Sequence, residues 1–142
     1  MSNVISYLNT DLDLASVQDL TALVAAFEVG GVWPLHEVVL YEDDQWHVSL
    51  ETNEQYTTPE DSIAVMLSVI EGFDEPIRSI WACCTKREFN MGYDCGAEPW
   101  AFSQGLSAEL VRRVGAAGAS VGWTLYPDRS TDEPDQQNPC PR

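Results

Sequence analysis

The chain has 142 residues, room for one domain and too few for two of ordinary size. Apolar residues make up 44% and charged residues 21%, which fits a folding globular chain and excludes disordered, collagen-like and coiled-coil proteins. Seven Lys and Arg against 23 Asp and Glu leave a formal net charge of −16, which disfavours nonspecific attraction to nucleic acid phosphates or an anionic membrane and favours a basic partner.

In chain order, residues 4–8 read as a first strand and Asp11-Leu12-Asp13 as a polar loop. Ser16 with Asp19 resembles a capping box. Leu20, Leu23, Val24 and Phe27 follow at i, i+3, i+4 and i+7, predicting an amphipathic helix over about 16–28 that Gly30-Gly31 closes. Residues 35–41 and 45–51 predict a β-hairpin, because Trp46, Val48 and Leu50 alternate with His47, Ser49 and Glu51. With Asp43-Asp44 as its turn, Tyr41 faces Trp46 and Val39 faces Val48, while Leu40/His47, Val38/Ser49 and His36/Glu51 share the other side. Thr58-Pro59-Glu60-Asp61 starts a second helix with a cap, an early proline and acids at the positive dipole end. Ile63, Met66, Leu67 and Ile70 form its stripe and Gly72 ends it.

Residues 77–85 and 88–95 predict a second hairpin about Lys86-Arg87. Its apolar members, Ile80, Ala82, Cys84, Phe89, Met91, Tyr93 and Cys95, turn to the helices, and Ser79, Trp81, Cys83, Asn90 and Asp94 take the opposite face, with Trp81 across from Gly92. A third helix is expected from 107 to about 117, with Leu106, Leu110, Val111 and Val114 inward and Arg112-Arg113 outward. Gly118 caps it, and 119–126 form a last strand. Residues 127–142 hold four prolines and no Leu, Ile, Val, Phe or Trp, so a disordered tail is expected after a domain of residues 1–126. The order β-α-β-β-α-β-β-α-β predicts an α+β fold: a largely antiparallel sheet with three helices on one face and the other face open or covered by a partner.

The charge is segregated along the chain. All seven basic residues lie after residue 77 while 15 acids lie before it, so residues 1–77 carry −15 and residues 78–142 carry −1. No run of about 18 apolar residues offers a membrane span, and the first residues lack a signal-like basic and apolar pattern, so the expected compartment is the cytoplasm. Cys83, Cys84, Cys95 and Cys140 form no CxxC or Cys/His metal spacing, and small buried hydrophobes are expected, with Cys140 exposed in the tail. Gly115 to Gly122 is rich in glycine, yet it follows a helix and precedes a strand, the reverse of a phosphate-cradling loop. No GxSxG, HExxH, GxxxxGKS or calcium-loop motif occurs, and no cofactor, metal or catalytic residue is assigned. His36 and His47 fall on one side of the first predicted hairpin, but nothing in sequence supplies a third ligand or a nucleophile.

Phe89-Asn-Met-Gly-Tyr-Asp, a short loop, Phe102-Ser-Gln-Gly-Leu-Ser-Ala-Glu-Leu and Gly118-Ala-Ser-Val-Gly-Trp-Thr-Leu-Tyr-Pro together resemble a family of small bacterial domains of unknown function, over about residues 35–127. The resemblance implies a shared fold. Some members lie in gene neighbourhoods of toxin immunity or phage conflict, and the resemblance carries over no catalytic residue.

The leading functional expectation is therefore an acidic interaction domain, of immunity or inhibitor type, that occludes a basic protein such as a nuclease toxin or another nucleic-acid-binding enzyme. Glu42, Asp43, Asp44, Glu51 and Glu54 would meet Lys and Arg, with Trp33 and Trp81 as apolar anchors. The alternative is a small-molecule-binding or enzymatic domain using the open sheet face around His47, Ser49, Trp81, Cys83, Asn90 and Asp94. A homodimer through the same face is the third expectation. Direct nucleic acid or membrane binding is not expected.

Overall fold

The computed structural model describes residues 4–127; the predicted tail after residue 127 lies outside them. The fold is α+β, with six strands and four helices in the order β1 (Ser6–Ser16), α1 (Thr21–Val29), β2 (Val32–Pro34), β3 (Val39–Leu40), β4 (Trp46–Thr52), α2 (Pro59–Glu71), α3 (Glu75–Ala82), β5 (Lys86–Asp94), α4 (Ala108–Ala116) and β6 (Ser120–Tyr126). The sheet runs β2-β4-β1-β5-β6, with β3 pairing the other half of β4, so β2 and β3 together make one broken edge strand. It is mixed, not antiparallel throughout. β5 and β6 pair in parallel because α4 lies between them as a crossover, whereas all other pairs are antiparallel.

The central strand is β1, eleven residues long, and it absorbs the segment expected to be a loop at Asp11 to Asp13. Thr10, Leu12 and Leu14 are buried while Asp11 and Asp13 alternate on the opposite face, the two-residue period of a half-buried strand. A bulge between Tyr7 and Asn9 resets the alternation so that Tyr7 and Thr10 share the helix side, their hydroxyls 2.6 Å apart. The first helix starts later than the capping-box reading placed it. Ser16 ends β1, and Asp19 Oδ1 instead accepts the Thr21 N–H at 2.8 Å. The hairpin before β4 is shifted by one residue: Leu40 pairs Trp46 and Val39 pairs His47, because the loop is the three residues Glu42 to Asp44, with Asp44 left-handed at φ 63°.

The largest correction concerns residues 75–82, which are helix α3 and not the first arm of a hairpin. Asp74 caps the helix, accepting from the Ile77 N–H, and Pro76 sits in its first turn, the same start signal that opens α2 behind Thr58 and Pro59. Ile77, Ile80, Trp81 and Cys84 then fall at helical spacing. Trp81 is consequently a core residue. Its ring meets Phe27 and Phe73 edge-on at 6.1 and 6.4 Å, and its indole N–H donates to the Ala117 carbonyl at 2.9 Å. Cys83 caps the C-terminus of α3 and is exposed, so it belongs to no strand of the sheet. An aromatic ring does lie against Gly92, but it belongs to Tyr126, 3.5 Å from where a Cβ would be.

All four helices contribute to one apolar core with Leu12, Leu14, Val48, Leu50, Phe89 and Met91 of the three central strands. α4 keeps its predicted cap, the Ser107 hydroxyl accepting the Leu110 N–H, while Val111 points to solvent. The C-terminal ends of α2, α3 and α4 converge, and Arg78, Arg87 and Arg113 gather there. Arg87 donates to the carbonyls of Trp81, Ala82, Cys84 and Gly118 at 2.8 to 3.2 Å, and Arg113 forms a two-bond pair with Glu71, both bonds 2.9 Å. Cations at helix C-termini offset the negative end of each helix dipole.

Candidate functional site

With the helices all on one side, the opposite face of the sheet is left to polar side chains, and the strand register arranges them in rows. One row runs Trp33, Glu51, Asp11, Asn90 and Gly122, the next Ser49, Asp13, Glu88 and Ser120, and a third Val39, His47, Ala15 and Lys86. Asp13 stands directly opposite Glu88 across the β1–β5 pair, although like charges in facing positions are unfavourable. Asn9 donates to both Asp11 Oδ1 and Glu51 Oε2 at 3.0 Å, and the Ser49 hydroxyl donates to Asp13 at 2.7 Å. Gly122 leaves room for the Glu88 carboxylate, which would otherwise sit 2.5 Å from a Cβ.

The electrostatic consequence is concentrated at Asp11. Partial burial, followed by the charges of Glu51 and Asp13 and a hydrogen bond with the Glu51 carboxyl, raises its pKa from 3.8 to about 7. Near neutral pH Asp11 therefore keeps its proton in a substantial share of molecules. Lys86 is the one lysine among the described residues, and its ammonium lies 3.7 Å from Glu88 at the rim of the face.

The expected partner residues divide by position. Trp33 and Glu51 are neighbours on the face, with Trp33 about half exposed at the β2 edge. Glu42, Asp43 and Asp44 project from the exposed β3–β4 turn, and Glu54 lies just beyond β4. Trp81 is excluded by burial. Of the alternative set, His47, Ser49, Asn90 and Asp94 do share the open face, and Cys83 does not. The two histidines are separately engaged: His36 lies between β2 and β3 with Nδ1 2.7 Å from the Glu37 carbonyl, while the His47 Nε2–H donates to Asp43 at 2.9 Å under a stacked Tyr41 ring. That bond holds the Asp43 carboxyl below its usual range. Cys84, buried on the helix side, has its thiol pushed up to about 11 and is no nucleophile at neutral pH.

Asn9, Asp11, Asp13 and Glu88 were not among the expected site residues. The signal for the two aspartates is present in Thr10-Asp-Leu-Asp-Leu14, an alternation of strand period that a reading of acids as loop formers obscures. Among the described residues no group of three or more His, Cys, Asp or Glu side chains is arranged to hold a metal ion. Clefts of about 410, 340 and 370 Å³ lie elsewhere, and the cleft reaching this face beside Asn9 and Glu51 holds about 50 Å³. The largest is lined by Arg78, Arg87 and Arg113 between the three helix ends, but each guanidinium already serves carbonyls or carboxylates of the fold. No helix among the described residues is long and apolar enough to cross a membrane. No family model matches the chain, and neither a curated protein nor a solved structure matches it significantly.

Proposed function

We propose that the chain is an acidic interaction domain whose open sheet face, framed by the Glu42 to Asp44 turn and Trp33, covers a Lys/Arg-rich surface of a partner protein, in the manner of an inhibitor or immunity protein. The observation that carries this reading is the placement of Asp11, Asp13, Glu51 and Glu88 on adjacent positions of three neighbouring strands. Folding alone has no use for such an array: like charges at facing positions weaken a sheet, and local rules are broken where function requires it. A cationic surface laid across the rows would reverse the sign of the cost. Guanidinium groups suit it best, because each can meet two carboxylate oxygens at once. Nucleic-acid-processing enzymes carry Lys and Arg surfaces of this kind to hold phosphates, and covering one would block substrate access. The broad face with its 50 Å³ cleft suits a macromolecule better than a small ligand, which takes a concave site of several hundred Å³.

The test is affinity capture on the immobilised chain beside a variant with Asp13→Asn, Glu51→Gln and Glu88→Gln, followed by elution in rising salt. A basic protein should be held by the wild type, released by about 0.5 M salt, where screening lengths fall to a few ångströms, and lost from the variant. Retention that ignores both salt and the three substitutions would defeat the proposal.

A further inference from the structure

Both outer edges of the sheet offer backbone groups, and they are treated differently. The β2–β3 edge is short, broken, carries Pro34 and is flanked by Glu37, Glu42, Asp43 and Asp44, which are the usual devices against pairing with another chain. β6 has none of them. It runs seven residues, Ser120–Tyr126, without a charge or a proline, and among the described residues it is paired only to β5. Its helix-side stripe is uncovered: Trp123 and Leu125 are 62% and 63% exposed, over a groove of about 340 Å³ that Phe102, Tyr93 and Ile5 also line.

We propose that β6 is a self-association edge, at which two copies of the chain pair antiparallel about a two-fold axis at Trp123 and continue one sheet through both molecules. The charge pattern selects a second copy as the occupant. Two molecules of net charge −16 repel, and contact through the open face would set Asp11, Asp13, Glu51 and Glu88 against themselves, whereas β6 offers a strip with no charge to oppose. The register is self-complementary. Trp123 meets Trp123 of the second copy, and Val121 meets Leu125 on the same side, an aromatic pair flanked by two aliphatic pairs. The area is sufficient as well. With Phe102 and Tyr126, exposed by 40% and 41%, the side chains offer at most about 900 Å² for two copies, and with the paired backbones this is of the order of the roughly 1,000 Å² a specific interface needs.

This edge is separate from the acidic face and independent of the function proposed for it. The experiment is sedimentation of the whole chain from about 1 µM to about 1 mM in low and in about 0.5 M salt, with hydrogen exchange at both ends of the concentration range. A doubling of weight-average mass with concentration is expected, stronger in high salt because screening relieves the repulsion, together with new protection confined to residues 120–126. Trp123→Lys combined with Leu125→Lys, both at exposed positions, should raise the dissociation constant at least tenfold, as buried lysine disfavours edge pairing. Trp33→Ala should not change it. A monomer throughout the range, a dimer that survives the two lysines, or protection arising in β1 and β4 instead of β6 would overturn the inference. Weakening by salt would mean that opposite charges hold the copies together and would overturn it equally.

Discussion

Replacing Asp11 by Asn tests the like-charge array at its most perturbed member. The Asp11 carboxyl has its pKa raised from 3.8 to about 7, so the folded state holds the proton more tightly than the unfolded state does. Its contribution to stability is full below about pH 4, is lost as pH rises through 7, and is absent above. For a group fully removed from water a rise of this size corresponds to about 4 kcal/mol. Because the Asp11 side chain is only partly buried, screening by solvent reduces it to roughly 1–2 kcal/mol. Asn preserves the shape, still accepts the Asn9 amide that lies 3.0 Å from Asp11 Oδ1, and can donate to Glu51. Urea unfolding of both proteins should therefore show Asp11→Asn more stable by about 1–2 kcal/mol at pH 8, with the gap closing towards pH 4. A carboxyl carbon titration by NMR should place the Asp11 midpoint near 7. An unchanged gap between pH 4 and 8, a wild type that is the more stable at pH 8, or a midpoint near 4 would refute the electrostatic reasoning.

A basic partner seated beside Asp11 should drive its proton off, so binding near pH 7 should release about half a proton per complex, read as a dependence of calorimetric enthalpy on buffer ionisation that vanishes at pH 9. Arg87→Ala removes a guanidinium that ties the end of α3 to Gly118 through four carbonyls. It should cost about 2–4 kcal/mol in chemical unfolding, and Arg87→Lys should restore less than half, since one ammonium cannot span both chain ends. Gly118→Ala should cost about 1–2 kcal/mol by the same assay, because φ is +75° there and a Cβ would stand 3.1 Å from the Arg87 Nη2. Trp33→Ala should weaken capture of a basic partner while leaving the unfolding free energy within about 0.5 kcal/mol, as expected for an exposed edge position.

How far the sequence could be read depends on whether the deciding information was local. The α2 stripe, the Ser107 cap of α4 and the closing strand were legible because a cap, a spacing of 3.6 and a glycine stop are properties of neighbouring residues. The same local signal is present at Asp74-Glu-Pro76, but the apolar run that follows it reads as a strand, which puts Trp81 on the open face instead of in the core. The hairpin register turned on one left-handed residue, Asp44, which decides whether the loop holds two residues or three.

The segregation of charge, the absence of known catalytic spacings and the α+β class follow from the sequence alone, since composition and periodicity are properties of the chain. Which acids act together does not. Asp11, Glu51 and Glu88 are distant in sequence and become neighbours only because β1 lies between β4 and β5, and that order is set by long-range pairing and by a core shared with four helices. The turn acids Glu42 to Asp44 looked like the centre of the negative surface because they are consecutive. Tertiary structure places the strongest coupling instead at Asp11, where a neighbouring strand brings in Glu51 and partial burial weakens the screening that separates charges along an exposed chain.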